Sequence, residues 1–96
     1  MTSKQRAYLK GLAMDIDTII NVGKSGVTPE VAASISEAIE KRELIKIGVL
    51  KNCMDDPKEI AEILAGRTKS QVVQVIGKKI VLYKRNSKNP RIELPK

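Results

Sequence analysis

The chain has 96 residues with 18 lysines and arginines, 11 aspartates and glutamates and no histidine, a formal charge of +7. One domain over 1–96 is expected, with a single core burying about two thirds of the chain's surface, and no apolar run approaches the roughly 20 residues of a membrane-spanning helix. The lone cysteine, Cys53, excludes an intrachain disulfide. It suits a reducing compartment, and with no signal-peptide pattern at the N-terminus a soluble cytoplasmic protein is expected.

Thr2 and Gln5 form a capping-box pair, so a helix starts at once, with Tyr8, Leu9 and Leu12 on one side and Arg6 and Lys10 sharing another face beside Lys4. It fades near Met14 and Asp15, and a strand over Thr18–Val22 leads into the loop Gly23-Lys24-Ser25-Gly26. Thr28 and Pro29, an N-cap residue and a proline at the first helical position, open a second helix to about Lys41, with Val31, Ile35, Ala38 and Ile39 as its apolar stripe. The run Leu44–Leu50 reads as a strand with Ile45, Ile47 and Val49 on one face and Lys46 on the other. Asp56, Pro57 and Glu59 start a third helix, with Ile60, Ala61, Ile63 and Leu64 on its buried side and Gly66 as its C-terminal stop. Gln71–Ile76 and Lys79–Lys84 are strand-like around the two-residue turn Gly77-Lys78. Beyond Arg85 the tail is polar, with Ile92–Leu94 as a short stretch able to pair at a sheet edge.

The order is therefore α-β-α-β-α-β-β. Strand–helix–strand crossovers favour parallel neighbours and the last hairpin is antiparallel, which gives an α/β fold with a mixed four-stranded sheet covered by helices.

Charge is unevenly distributed. Met1–Gly26 carries +2, Val27–Gly77 is nearly balanced at −1, and Lys78–Lys96 carries +6. One positive surface facing an electrostatic partner, most often nucleic acid, explains this; a solvated basic tail is the plainer alternative.

Catalytic signals are sparse. Without histidine, acid–base work falls to carboxylates or lysines. Asp15 and Asp17 are two apart with nothing to complete a metal site, and Cys53 has no partner at ligand or nucleophile spacing and reads as a small packed hydrophobe. The glycine loop lacks the spacing and the Lys-Ser/Thr pair of a Walker loop. No enzyme activity, cofactor, metal or small-molecule substrate is expected.

With Tyr8 and Tyr83 the only aromatics, base stacking on an aromatic sheet or groove is disfavoured. Contact with nucleic acid then falls on the sugar–phosphate backbone, through cations and main-chain amides. A strand that ends in Gly-x-x-Gly and opens a helix suits this, because absent side chains let amides approach an anion and the helix N-terminus adds favourable polarity. The alternative role for Gly23 and Gly26 is a tight strand-to-helix connection. KH domains clamp a backbone with a Gly-x-x-Gly loop, but there it joins two helices, so that fold does not fit.

Thr2–Ala13, Val22–Thr28, Glu43–Ile47 with Asn52-Cys53, Val73–Lys78 and Ile80–Arg85, in this order, resemble the YhbY family, the stand-alone bacterial and archaeal form of the CRM (chloroplast RNA splicing and ribosome maturation) domain. The resemblance spans nearly the whole chain. It implies a compact α/β fold similar to the C-terminal domain of translation initiation factor three, and RNA binding, with bacterial members associated with precursors of the large ribosomal subunit. Its Gly-x-x-Gly loop corresponds to Gly23, Lys24, Ser25 and Gly26. Gly48 departs from it, where a polar or basic residue is expected on the second strand.

The expected RNA contacts are Gly23, Lys24, Ser25 and Gly26 in the loop, Lys4, Arg6 and Lys10 on the first helix, Lys46, and Lys84 and Arg85 after the last strand. The tyrosines are expected to pack in the core or at an edge. The expected function is non-catalytic docking of a monomer onto structured ribosomal RNA of large-subunit precursors, as a factor in ribosome assembly or maturation. A protein-interaction module for an acidic partner and a sequence-independent DNA binder are the rivals.

Overall fold

The structure, a computed structural model, describes residues 1–96. Its elements run α1 (Ser3–Ala13), β1 (Thr18–Val22), α2 (Pro29–Arg42), β2 (Leu44–Val49), α3 (Pro57–Thr68), β3 (Gln71–Ile76) and β4 (Lys79–Tyr83), the order that the periodicities predict. Each helix start is capped by the residue expected from its side chain. Thr2 and Gln5 complete a reciprocal capping box, Thr28 Oγ1 accepts from Val31 N–H, and Asp56 Oδ1 accepts from Lys58 N–H.

The four strands lie in the order β1-β2-β4-β3. β1 and β2 are parallel neighbours joined by α2, whereas β4 is antiparallel to both β2 and β3. The α3 crossover thus skips one position, and β4 folds back from the Gly77-Lys78 turn to fill it. This makes β2 an interior strand, buried on both faces at Leu44, Ile45, Ile47 and Val49.

The pleat separates two cores. Ile45, Ile47, Ile80 and Leu82 pack beneath Ile35 and Ile39 of α2 and Ile60 and Leu64 of α3. On the opposite face, Leu44, Val73, Val81 and Tyr83 pack against Leu9 and Ala13 of α1, with Ile92 and Leu94 of the tail alongside. Each such side chain contributes about 1.5–3 kcal/mol when fully buried. Because α1 is only 11 residues long, the rest of its face, at the β1 side and toward the end of β2, stays open.

Several expectations are corrected. Tyr8 is 44% exposed instead of packed, and Ile63 of α3 is 46% exposed. α3 does not stop at Gly66. It continues to Thr68, whose hydroxyl donates to Leu64 O (2.7 Å), and Lys69 takes the left-handed cap (φ 56°) with its N–H on Ala65 O. Ile92–Leu94 forms no edge strand; the N–H of Ile92 and those of Asn86 and Arg91 before it are engaged elsewhere.

They are engaged by Glu43. This residue ends α2 in a rare positive-φ conformation (φ 65°, ψ −45°) and is fully buried. Its carboxylate accepts main-chain N–H groups from Asn86 (2.7 Å), Arg91 (2.6 Å) and Ile92 (2.7 Å), while its carbonyl accepts from Lys84 N–H (2.9 Å). Burial pushes the Glu43 carboxyl up, but these hydrogen bonds and the Arg85 charge outweigh it and hold the group below its ordinary value. The Tyr83 hydroxyl is buried without a hydrogen-bond partner, and burial, reinforced by Glu43, pushes it up against the opposing pull of Arg85.

A carboxyl whose pKa is lower folded than unfolded stabilises the fold above its unfolded value, and that contribution disappears as pH falls through the folded one. Urea unfolding followed from pH 7 to pH 3 should therefore lose stability toward acid, and Glu43→Gln should flatten that loss. At neutral pH the same variant should cost about 1–3 kcal/mol, the range for a hydrogen-bonded charge replaced by a weaker partner.

Candidate nucleic-acid interface

β1 ends at Val22, and the chain turns at once: Gly26 N–H donates to Gly23 O at 3.0 Å. Gly26 has φ +66° and is buried, and a Cβ there would lie 2.8 Å from Asp55 Oδ2. Both backbone and space demand glycine at this position. Gly23 differs, since a Cβ would meet Leu50 and Asn52 only at ordinary contact distance, 3.5 and 3.8 Å. Between them Lys24 and Ser25 are exposed, directly before the capped start of α2.

Two further loops flank this one. Leu50 N–H donates to Val22 O (2.8 Å) and Val49 N–H to Lys78 O (2.7 Å), so the β2–α3 loop and the β3–β4 turn sit at the same end of the sheet. Each carries an exposed lysine, Lys51 and Lys78.

The open face beside α1 begins one row away. Lys10 of α1, Lys46 of β2 and Lys79 of β4 line a single cleft with Met14, Gln74 and Ile76. Ile76 and Met14 are exposed, 61% and 81%. No carboxylate lines this cleft, and the ion pairs of the molecule, Lys41–Glu37 and Lys84–Glu40, leave all three lysines unneutralised. Asn21, paired with Gly48 in this row, precedes Gly23 by two residues, so roughly 7 Å of strand separates cleft from loop.

The expected contact residues therefore divide. Lys10 and Lys46 line one cleft, with Lys46 opposite Thr18 at the start of β1, whereas Lys24 lies in the loop that follows the other end of that strand. Arg6, one turn back along α1 on the side of Lys10, and Lys4 are exposed toward the helix start, where Gln5 donates to Pro95 O of the tail (3.0 Å). Lys84 and Arg85 leave β4 at the opposite end, roughly 17 Å from Lys79 along the strand. Lys84 pairs with Glu40, and Arg85 lies beside Tyr83 and the tail. Gln5, Arg85, Arg91 and Lys96 line one pocket there, so the start of α1 and the basic tail share a region separate from the cleft of Lys10, Lys46 and Lys79.

Lys79 is the contributor that sequence reading passes over. Its strand parity matches Val81 and Tyr83, but this identifies its surroundings only once α1 is known to cover that face and to stop short of its end. Asp15 and Asp17 lie by Arg42 and Arg91, no group of three or more His, Cys, Asp or Glu residues is placed to hold a metal ion, and Cys53 is buried in the core under α2 and α3.

A model of the CRS1 / YhbY (CRM) domain matches residues 1–84. The chain belongs to the CRS1/YhbY (CRM) domain family. This CRM domain is 46% identical over 95 residues to the Bacillus subtilis protein named "Probable RNA-binding protein YqeI", covering 99% of each. It is 35% identical over 96 residues to a Haemophilus influenzae protein named "RNA-binding protein", covering 100% of this chain and 96% of the relative. The solution structure of the hypothetical protein SAV1595 from Staphylococcus aureus superposes with a TM-score of 0.84 at 47% identity, over 99% of both chains. All of the loop and cleft residues fall inside the matched CRM region.

The two loop glycines should separate experimentally. Gly26→Ala should cost about 1–2 kcal/mol in urea unfolding, the cost of a left-handed side-chain-bearing residue, whereas Gly23→Ala should stay within about 0.5 kcal/mol.

Proposed function

We propose that this CRM domain is a non-catalytic RNA-binding protein that grips the sugar–phosphate backbone of structured RNA with the Gly23–Gly26 loop and the cationic surface beside it. The observation that carries this reading is the exposed, unneutralised Lys24 in a turn that only glycine at position 26 can make, directly before the start of α2, on a sheet whose α1 face carries the unneutralised Lys10 and Lys46. Relatives that share nearly their whole length with this chain carry RNA binding in their names.

Backbone contact follows from the chemistry present. The cleft and loop offer ammonium groups, amides and an apolar shelf but no aromatic platform, so affinity rests on phosphate neutralisation more than on stacking. Ribosomal RNA of large-subunit precursors is the target that the family resemblance implies, and the protein acts there as a cytoplasmic monomer. Lys84, already paired with Glu40, contributes less than the lysines of the open face.

Titration of a labelled stem–loop RNA at several salt concentrations tests the reading. Lys24→Glu should weaken binding and lower the slope of log affinity against log salt by about one unit. An unchanged slope removes the loop from the interface. Equal competition by duplex DNA assigns a general polyanion binder, and association with an acidic protein that survives nuclease assigns a protein-docking role. Crosslinking in cells followed by sequencing of the attached RNA identifies the target, and a population without ribosomal RNA overturns that part of the proposal.

A further inference from the structure

Lys79 is held in a way that its neighbours are not. From β4 its side chain reaches across β2 to β1, where Nζ donates to Thr18 Oγ1 at 3.2 Å. It passes over Gly48, its register partner on β2. A Cβ at Gly48 would lie 3.4 Å from Lys79 Nζ, 3.2 Å from Thr18 Cγ2 and 2.3 Å from Asn21 Oδ1. Any side chain there would displace Asn21 first and crowd the lysine's path. The missing side chain at position 48, unexpected on an RNA-facing strand, leaves a channel over β2 in which side chains of β1 and β4 meet.

The consequence is electrostatic. A solvated lysine loses much of its rotamer freedom when it meets an anion, a cost that reaches about 1.5–2 kcal/mol for a fully ordered chain. Lys79 is already directed, by one neutral hydrogen bond that leaves its charge intact and two of its three donors free. Lys10 and Lys46 stand on the same cleft, and no carboxylate competes. Met14 and Ile76 form an exposed apolar rim suited to the sugar side of a nucleotide.

We infer that the cleft on the α1 face is a second backbone-phosphate site for RNA, in which Lys79, tethered to Thr18 across Gly48, is the central cation and Lys10 and Lys46 flank it. The inference rests on the RNA-binding reading above and extends it from the loop to a face one sheet row away, so that two phosphates of one RNA are held at two places. In this arrangement Gly48 is a positioning residue for the cation and makes no contact with RNA itself.

The test uses the full chain and a fluorescently labelled stem–loop RNA, with Lys79→Gln, Gly48→Ala, Lys24→Gln and, as a control on the outer face of α3, Lys58→Gln. Lys79→Gln is expected to lower the log–log salt slope by about 0.7–0.9 and affinity at about 0.1 M salt by about five- to eightfold. Gly48→Ala, which leaves the charge unchanged, is expected to weaken binding with an unfolding midpoint that reports its folding separately. If Lys79→Gln behaves as Lys58→Gln does while Lys24→Gln lowers the slope, the cleft site is overturned and the loop reading stands. If wild type binds the RNA without salt dependence, or Lys24→Gln and Lys79→Gln both leave the slope at the wild-type value, both readings fall.

Discussion

A single buried carboxylate joins the three parts of this molecule that local structure alone would leave separate. Glu43 closes α2, starts the interior strand β2, and gathers the main-chain N–H groups of a tail more than forty residues downstream. Its strained backbone is offset by three main-chain N–H groups that satisfy the buried charge. The tail it anchors lays Ile92 and Leu94 beside the α1 core, and Gln5 of α1 reaches back to that tail through Pro95. The tail thus extends the cover of the α1 face at the Tyr83 end, while the sheet beside Lys10 and Met14 stays uncovered.

That uncovered extent is where the charge matters. The middle of the chain is electrically balanced, and its acidic residues lie largely on α2 and α3, away from the α1 face. Lysines on the α1 face and at the adjoining end of the sheet are left without counter-charges, while Lys84 at the far end is neutralised by Glu40. Arg85, Arg91 and Lys96 at that far end have no ion pair either, so unpaired cations stand at both ends of the α1 face.

The glycines show how one residue type serves different purposes. Gly26 is required by backbone conformation, and Gly48 by the close approach of neighbouring side chains. Gly23 has room for a side chain, with only Leu50 and Asn52 at ordinary contact distance. A motif written as two equivalent glycines conceals this difference.

Helix and strand order, the caps at Thr2, Thr28 and Asp56, the glycine loop and the family were legible in the sequence, because each depends on residues close together in the chain or on a linear pattern. The surface exposure of Tyr8 and Ile63 was not, since an apolar stripe does not reveal how wide its partner is. The end of α3 escaped for another reason: Thr68 and Lys69 supply a cap that Gly66 was expected to supply. Which lysines share a surface depended on β4 folding back between β2 and β3, and on a buried carboxylate holding the tail. Strand insertion and long-range hydrogen bonds relate residues far apart in sequence, and no local spacing records them; only the folded sheet brings Asn21, Gly48 and Lys79 into one row, sets Thr18 within reach of that lysine and moves Lys84 to the other end.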